Sequence, residues 1–179
     1  MKELSLNILD IAKNSVKAGA TLIEIIIEDA GNRRTLTIKD NGCGMDEEFL
    51  SVVTDPFTTT RTTRSVGMGL PLLKLAAEQT GGSLGITSST GADHGTTVTA
   101  TFFTDHLDCV PLGDYAGTMS TLVQGSPDID FDFIYRTDSG LKYLSTAEMR
   151  EILGDVPLDT PDVLLWIEDS LNAPPEEES

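Results

Sequence analysis

Residues 40–74 read DNGCGMDEEFLSVVTDPFTTTRTTRSVGMGLPLLK. Asp40-Asn41-Gly42-Cys43-Gly44-Met45 follows the alternating run Thr35-Leu36-Thr37-Ile38-Lys39, which has the period of a half-buried strand. Gly67-Met68-Gly69-Leu70 opens a stretch of helical period, with Pro71 near its start, where proline is favoured. Between them, Asp55-Pro56-Phe57-Thr58-Thr59-Thr60-Arg61 is rich in hydroxyls and has no hydrophobic period. Taken singly, each piece has an ordinary reading: Asn41-Gly42 is a hairpin signal, a GxG before a helix is a common turn, and a threonine run is a loop tip. A strand end, a glycine turn, a hydroxyl-rich loop and a glycine-opened helix, in that order and spacing, point together to a nucleotide site.

The flanking sequence supplies the rest of a compact unit. Residues 3–18 have helical period, with Leu4, Ile8, Ile11, Ala12 and Val16 on one arc and Asn7, Asp10, Asn14 and Lys17 in a polar stripe on another face. Gly19 is the expected C-cap. Leu22–Glu28 and Thr35–Lys39 predict an antiparallel hairpin about Ala30-Gly31-Asn32. Residues 46–53 predict a short helix with acids in its first turn, closed by Pro56. Residues 54–66 are expected to be a mobile loop, and Arg61 and Arg64 are its cations. The helix after Gly69 buries Leu70, Leu73 and Ala77 and stops at Thr80-Gly81-Gly82, and strands follow over 83–88 and 96–104. His94, between these strands, reads as a loop residue, because no Cys, His or acid stands near it at ligand spacing. Farther on, helices are expected at 115–123, 146–153 and 161–171, the last with Leu164, Leu165, Trp166 and Leu171 among its anchors. Thr137-Asp138-Ser139-Gly140 is a hairpin turn.

The 179 residues are 39% hydrophobic and 23% charged, enough for a packed core. Two cysteines, Cys43 and Cys109, exclude a disulfide framework, and no spacing suggests zinc. No apolar run is long enough to span a bilayer and no signal-peptide order opens the chain, so the expected location is the cytoplasm, without membrane contact. The net charge of −17 is unevenly placed. Residues 1–104 carry 12 acids and 9 bases, and residues 105–179 carry 17 acids and 3 bases. So acidic a surface repels phosphate backbones, and nucleic acid is not an expected partner. The asymmetry predicts three parts: a nucleotide unit over 1–104, an acidic region of hairpin and helices over 105–173, and a disordered tail over 174–179.

The residue types suit a particular chemistry. The exocyclic amine of adenine is a donor, and Asp40 at a strand end offers it a carboxylate acceptor. Glycines after it would let the backbone approach the ring. Backbone N–H groups at Gly67-Met68-Gly69, opening a helix, suit phosphate. Mg²⁺ takes few protein oxygens beside phosphates and water, and the amide of Asn14 offers one. Lys17, Arg61 and Arg64 can neutralise phosphate.

In these motifs the sequence resembles the GHKL superfamily of histidine kinases, anti-sigma-factor kinases, gyrase-type ATPases, Hsp90 and mismatch-repair ATPases. Asp10 to Ala20 resembles its N box, Asp40 to Met45 its G1 box, Asp55 to Arg61 its F box, Val66 to Lys74 its G2 box, and Gly95-Thr96-Thr97 its last glycine motif. Ser65 stands where the G2 box usually opens with glycine, and Asp10 where other branches carry Glu, Asn or His. The resemblance implies an α+β fold, a two-layer α/β sandwich with a mixed sheet and helices on one face, here followed by a small acidic C-terminal α/β appendage. It implies an ATP-binding set of Asn14, Lys17, Asp40, Gly42, Gly44, Met45, Phe57, Thr59, Thr60, Arg61, Gly67, Met68, Gly69, Leu70 and Thr96. Asn14 would also be the Mg²⁺ ligand, 54–66 the ATP lid, and Asp10 the candidate catalytic base.

The F box and Lys17 favour the histidine-kinase branch, and the chain is also similar to short stand-alone bacterial ATP-binding proteins. Its histidines, His94 and His106, lie in no acceptor motif, so self-phosphorylation on histidine is not expected. The expected function is a Mg-ATP-binding regulatory phosphotransferase acting in trans, or an ATP-dependent regulator of a protein partner reached through the acidic region. The alternatives are a nucleotide-responsive module with little turnover, or a slow ATPase.

Overall fold

The structure is a computed structural model that describes residues 3–54 and 69–175. Its elements are α1 (Leu4–Lys17), β1 (Leu22–Ala30), β2 (Arg33–Asp40), α2 (Glu47–Val52), α3 (Gly69–Gln79), β3 (Ser83–Ser89), β4 (Gly95–Phe103), α4 (Tyr115–Gly125), β5 (Asp130–Thr137), β6 (Gly140–Ser145), α5 (Thr146–Leu153) and α6 (Pro161–Asn172). The six strands form one sheet in the order β3-β4-β2-β1-β5-β6. Every neighbouring pair is antiparallel except β1 and β5, which run parallel, so the sheet is mixed.

Alternation along each strand decides which face is buried. Ile23, Ile25 and Ile27 of β1, Leu36 and Ile38 of β2, Val98, Ala100 and Phe102 of β4, and Phe131 and Phe133 of β5 are all buried on one face. The helices cover that face. α1 packs on α3 and α4, and α4 packs on α6. The arc expected of α1 is confirmed at Leu4, Ile8, Ile11 and Ala12, all buried, and Gly19 ends the helix at φ 81. The opposite face carries half-buried Glu24, Ile26, Thr37, Thr99 and Ile134. This is the two-layer α+β sandwich that the sequence implied.

The sheet does not stop at the change of composition near residue 105. β5 pairs with β1 from Leu22 opposite Asp130 to Glu28 opposite Arg136, and β6 extends the sheet beyond it. One hydrophobic core joins Ile8 and Ile25 to Met119, Phe133 and Ile167. The first N–H groups of α1 have no side-chain cap. Leu4 N and Ser5 N donate instead to the carbonyls of Pro111 and Leu112, at 2.9 and 2.8 Å, so the later segment satisfies donors that a helix start leaves orphaned.

One local expectation is corrected, and one ordinary reading of a single motif falls away. In α6 the buried positions are Val163, Ile167 and Leu171, four residues apart, while Leu165 and Trp166 are 56% and 54% exposed. At 100° per residue these two turn away from the face that meets α4. Asn41-Gly42 is not a hairpin turn. The Asn41 side chain accepts from Thr21 N at 2.8 Å and Leu22 N at 3.1 Å, pinning the start of β1 beside the end of β2.

Beside the β1–β2 turn, Arg34 grips Asp29 through Nε at 2.7 Å and its terminal nitrogen at 2.8 Å, and the Tyr135 hydroxyl donates to the same carboxylate at 2.6 Å. Burial raises the Asp29 carboxyl, but the hydrogen bonds from Arg34 and Tyr135 and the charge of Arg34 outweigh it and leave it below its ordinary value. Burial, then the bond to Asp29, pushes the Tyr135 phenol up to about 12. A raised phenol stabilises the fold in its neutral form. That contribution should be complete below pH 10, the ordinary value, and be lost as pH rises towards about 12. Urea midpoints of the parent and Tyr135→Phe between pH 9 and 12 check this: the parent should lose stability more steeply over that span.

Candidate functional site

The register of the sheet carries Asp40 to the site. Across the strands Phe131, Ile23, Asp40, Thr96 and Ser88 lie side by side, one row from Phe133, Ile25, Ile38, Val98 and Ile86. Side-by-side residues share a face, so Asp40 sits where the pattern of burial calls for an apolar residue and turns its carboxylate towards α1. There it is held from two sides. Ser15 Oγ donates to Oδ2 at 2.6 Å and Gly42 N to Oδ1 at 2.8 Å. Each oxygen keeps capacity for a further donor.

Above this row lies a cavity of about 430 Å³, within the usual range for a small-molecule site. Ile11, Ile38, Met45, Phe49, Leu70 and Val98 give it apolar walls, and Asp40, Ser15, Asn14, Lys17 and Thr96 give it polar points. Among the described residues the structure thus brings Asn14, Lys17, Asp40, Gly44, Met45, Leu70 and Thr96 around one space. Gly42 stands behind Asp40. Gly69 opens α3, and its carbonyl accepts from the buried Asn7 amide at 3.0 Å. Asp10 is exposed and does not line the cavity among the described residues; its Cβ packs beside Gly69. Phe57, Thr59, Thr60, Arg61, Arg64, Gly67 and Met68 lie outside the described residues, as do the expected lid from residue 55 onward and Pro56.

The glycines of the G1 turn have a packing reason of their own. A Cβ on Gly42 would come within 2.9 Å of the Ala18 Cβ, and one on Gly44, at φ 78, within 1.9 Å of the Ser89 carbonyl oxygen. The missing side chains let the turn pack on α1 and on the β3 end, and Gly44 also lines the cavity. The turn is tied further by Met45 N donating to Ser88 Oγ at 2.8 Å and by His94, whose Nδ1–H donates to the Gly42 carbonyl. His94 is thus an exposed loop residue with a bracing contact.

Ser15 and Asn7 escaped the reading of the motifs. The signal for Ser15 is its place on the buried arc of α1, one turn after Ile11, where a hydroxyl needs a partner. Asn7 belongs to the polar stripe by spacing, yet it is only 3% exposed, because α3 starts against it.

These residues fit an adenine nucleotide with a divalent cation. The anchored carboxylate offers lone pairs to an exocyclic amine, the apolar walls suit a flat ring, and the half-buried Asn14 amide makes no hydrogen bond among the described residues.

The family model described as histidine kinase-, DNA gyrase B- and HSP90-like ATPase matches residues 2–106. The chain is 34% identical to the tetrathionate sensor histidine kinase TtrS of Salmonella typhimurium over 95 residues, 52% of this chain and 16% of that protein. It is 28% identical to the DNA mismatch repair protein MutL of Rhodopseudomonas palustris over 181 residues, 92% of this chain and 28% of that protein. It therefore spans a small part of the length of the curated relatives it matches. Among solved structures, the Aquifex aeolicus MutL ATPase domain complexed with ADP has a TM-score of 0.55, covering 86% of this chain and 69% of that one at 14% identity, a likeness of fold. The chain belongs to the GHKL family of histidine kinase-, DNA gyrase B- and HSP90-like ATPases.

Proposed function

We propose that this chain binds Mg-ATP in the cavity under α1 and uses it to regulate another protein, either as a histidine-kinase-type phosphotransferase acting in trans or as an ATP-dependent switch. One observation carries the proposal: a carboxylate, Asp40, fixed by Ser15 and Gly42 at the base of an otherwise apolar cavity with Asn14 on its lining. In this reading Asp40 accepts from the adenine amine, Asn14 holds the metal, and Lys17 faces phosphate. The bound metal neutralises phosphate charge. Thermal melting tests it. Mg-ATP at a hundredfold excess over Kd should stabilise the chain by about 2.7 kcal/mol, and a melt unmoved by saturating Mg-ATP would end the proposal. Incubation with labelled ATP then separates the versions: label on a second protein marks a kinase, and binding alone marks a switch.

A second reading, slow hydrolysis, is favoured by the extent of the MutL likeness, which runs over 92% of the chain where the TtrS likeness covers 52%. Asp10 lies one helical turn before Asn14 and beside the start of α3, near where a base for an attacking water would stand. Its side chain is one methylene shorter than the glutamate of other branches, so turnover should be slow. Asp10→Asn should abolish phosphate release and leave ATP affinity within a few-fold. Release at the parent rate would remove Asp10 from the chemistry.

A further inference from the structure

Among the described residues, another cavity lies far along the chain from the first. α5 and α6 frame a groove of about 390 Å³ lined by Met149, Ile152, Leu153, Val163 and Trp166, with Asp162 at its edge. Met149 and Val163 at its floor belong to the core and Leu153 packs against it, but Ile152 and Trp166 are not spent there. Ile152 is 85% exposed and Trp166 54%, and Leu165 and Val156 beside them are 56% and 45% exposed. An isolated exposed leucine is ordinary, but a tryptophan and an isoleucine facing one groove are a contact surface.

Charge says what kind of partner suits it. Asp162 lines the groove, and Glu148, Glu151, Asp155, Asp159 and Asp169, all exposed, belong to its two helices or to the segment that joins them. The one base between residues 146 and 172, Arg150, is taken up by Asp130 Oδ1 at 2.9 Å and by the carbonyls of Pro127 and Ile129. Lys142 of β6 reaches α6 only at its last turn, where it donates to the Leu171 carbonyl and the Tyr115 hydroxyl, and the charge in the groove lining itself is the acid Asp162. A second copy docked through the same face would set acid against acid, in a chain that already carries −17. Glu176-Glu177-Glu178, just before Ser179, have the same sign.

We infer that the α5–α6 groove is a docking site for a basic amphipathic helix of a partner protein. Its apolar side chains at i, i+3 or i+4, and i+7 enter between Ile152 and Trp166, and its lysines or arginines meet the acidic rim. Such anchors span about 10 Å of helix axis, and this mode of recognition needs only an apolar groove and a complementary rim. The inference stands apart from the nucleotide reading: among the described residues the groove shares no lining residue with the cavity under α1.

Trp166 is the only tryptophan in the chain, so its fluorescence reports the groove directly. The probe is a Leu/Lys peptide of about 18 residues, long enough to be helical, with leucines on one face. A control peptide has the same composition in an order that leaves no apolar face. The amphipathic peptide should give a saturable blue shift of Trp166, and the control should bind at least roughly tenfold more weakly. Ile152→Glu is the decisive variant. It adds an acid, so an association driven by charge alone would tighten, whereas groove docking, followed by anisotropy of a labelled peptide, should weaken by at least roughly tenfold. Asp162→Lys should weaken binding as well, and Ile152→Ser, which removes the apolar contact at an exposed position without changing charge, should also weaken it and separates the groove from charge should Ile152→Glu not fold. Equal binding of the two peptides, unmoved Trp166 emission, or tighter binding to Ile152→Glu would overturn the inference. So would a dimer in sedimentation that Ile152→Glu dissociates, which would give the face to a second copy. So would vesicle binding lost in that variant, which would give it to lipid. The melting shift of Ile152→Glu with Mg-ATP, read alongside, keeps the fate of the nucleotide reading separate.

Discussion

Cut after Thr104, the chain should lose its cooperative melt. The family match ends at residue 106, and the charge balance changes in the same place, so a self-sufficient unit over residues 1–104 is the natural guess. The packing argues otherwise. Truncation strips β1 of its parallel partner along Leu22–Glu28 and leaves the middle of the sheet as an open edge. It removes Phe131 and Phe133, both fully buried beside Ile23 and Ile25, and Met119, which is buried in the same core. Each phenylalanine truncated to alanine would cost about 3–5 kcal/mol, against a total stability of about 5–15 kcal/mol for a domain. It also frees the N–H groups of Leu4 and Ser5, and with them the start of the helix that carries Asn14 and Ser15. In the full chain, Phe133→Ala should lower stability by about 3–5 kcal/mol in a single transition. That transition should have the same midpoint by Trp166 fluorescence, in the later half, as by a fluorescent nucleotide at the first cavity. A folded 1–104 fragment that gains stability with Mg-ATP would show that residues 105–175 are an appendage.

What could be read in the sequence was what repeats within a few residues. The arc of α1, the alternation of β1, β2 and β4, and the Thr146–Leu153 helix follow from local period, and the structure has them within a residue or two. Sheet order is not local. The β1–β5 pairing joins Leu22 to Asp130 across most of the chain, and neither strand's pattern names its neighbour. Composition is silent on this, because charge describes the solvated surface while the core beneath it is continuous. The face of α6 is hard to read for a related reason: its apolar residues are too many for one stripe, and the surplus, Leu165 and Trp166, is exposed, with Trp166 at the groove. At the first site, motif spacing brought Asn14, Lys17, Asp40, Met45 and Thr96 to one cavity. It could not show Ser15 holding Asp40, nor that Gly44 is needed for the approach of Ser89, because both are contacts between segments distant in sequence.

Asp40→Asn should cut ATP affinity by roughly ten- to a hundredfold, about 1.5–3 kcal/mol, while leaving the fold in place. The substitution is isosteric and the local bonds permit it. Gly42 N can only donate, so the amide oxygen must keep the place of Oδ1, 2.8 Å away. The amide nitrogen then takes the place of Oδ2, and Ser15, whose hydroxyl can rotate, accepts where it formerly donated at 2.6 Å. The row from Phe131 to Ser88 therefore stays packed. What changes is the face shown to the cavity. An anion with spare lone pairs becomes a neutral amide whose nitrogen offers only hydrogens, and a donor amine on the ligand meets a donor. Because the walls are apolar, water cannot readily mediate between them. Ser15→Ala separates positioning from contact. It leaves the Asp40 charge but removes one of its two holds, so affinity should fall by less than in Asp40→Asn. Titration calorimetry with Mg-ATP and melting without ligand measure the two effects apart. If Asp40→Asn binds Mg-ATP as the parent does, and melts as the parent does, the carboxylate is a structural link between α1 and β2 and the base of the nucleotide lies elsewhere.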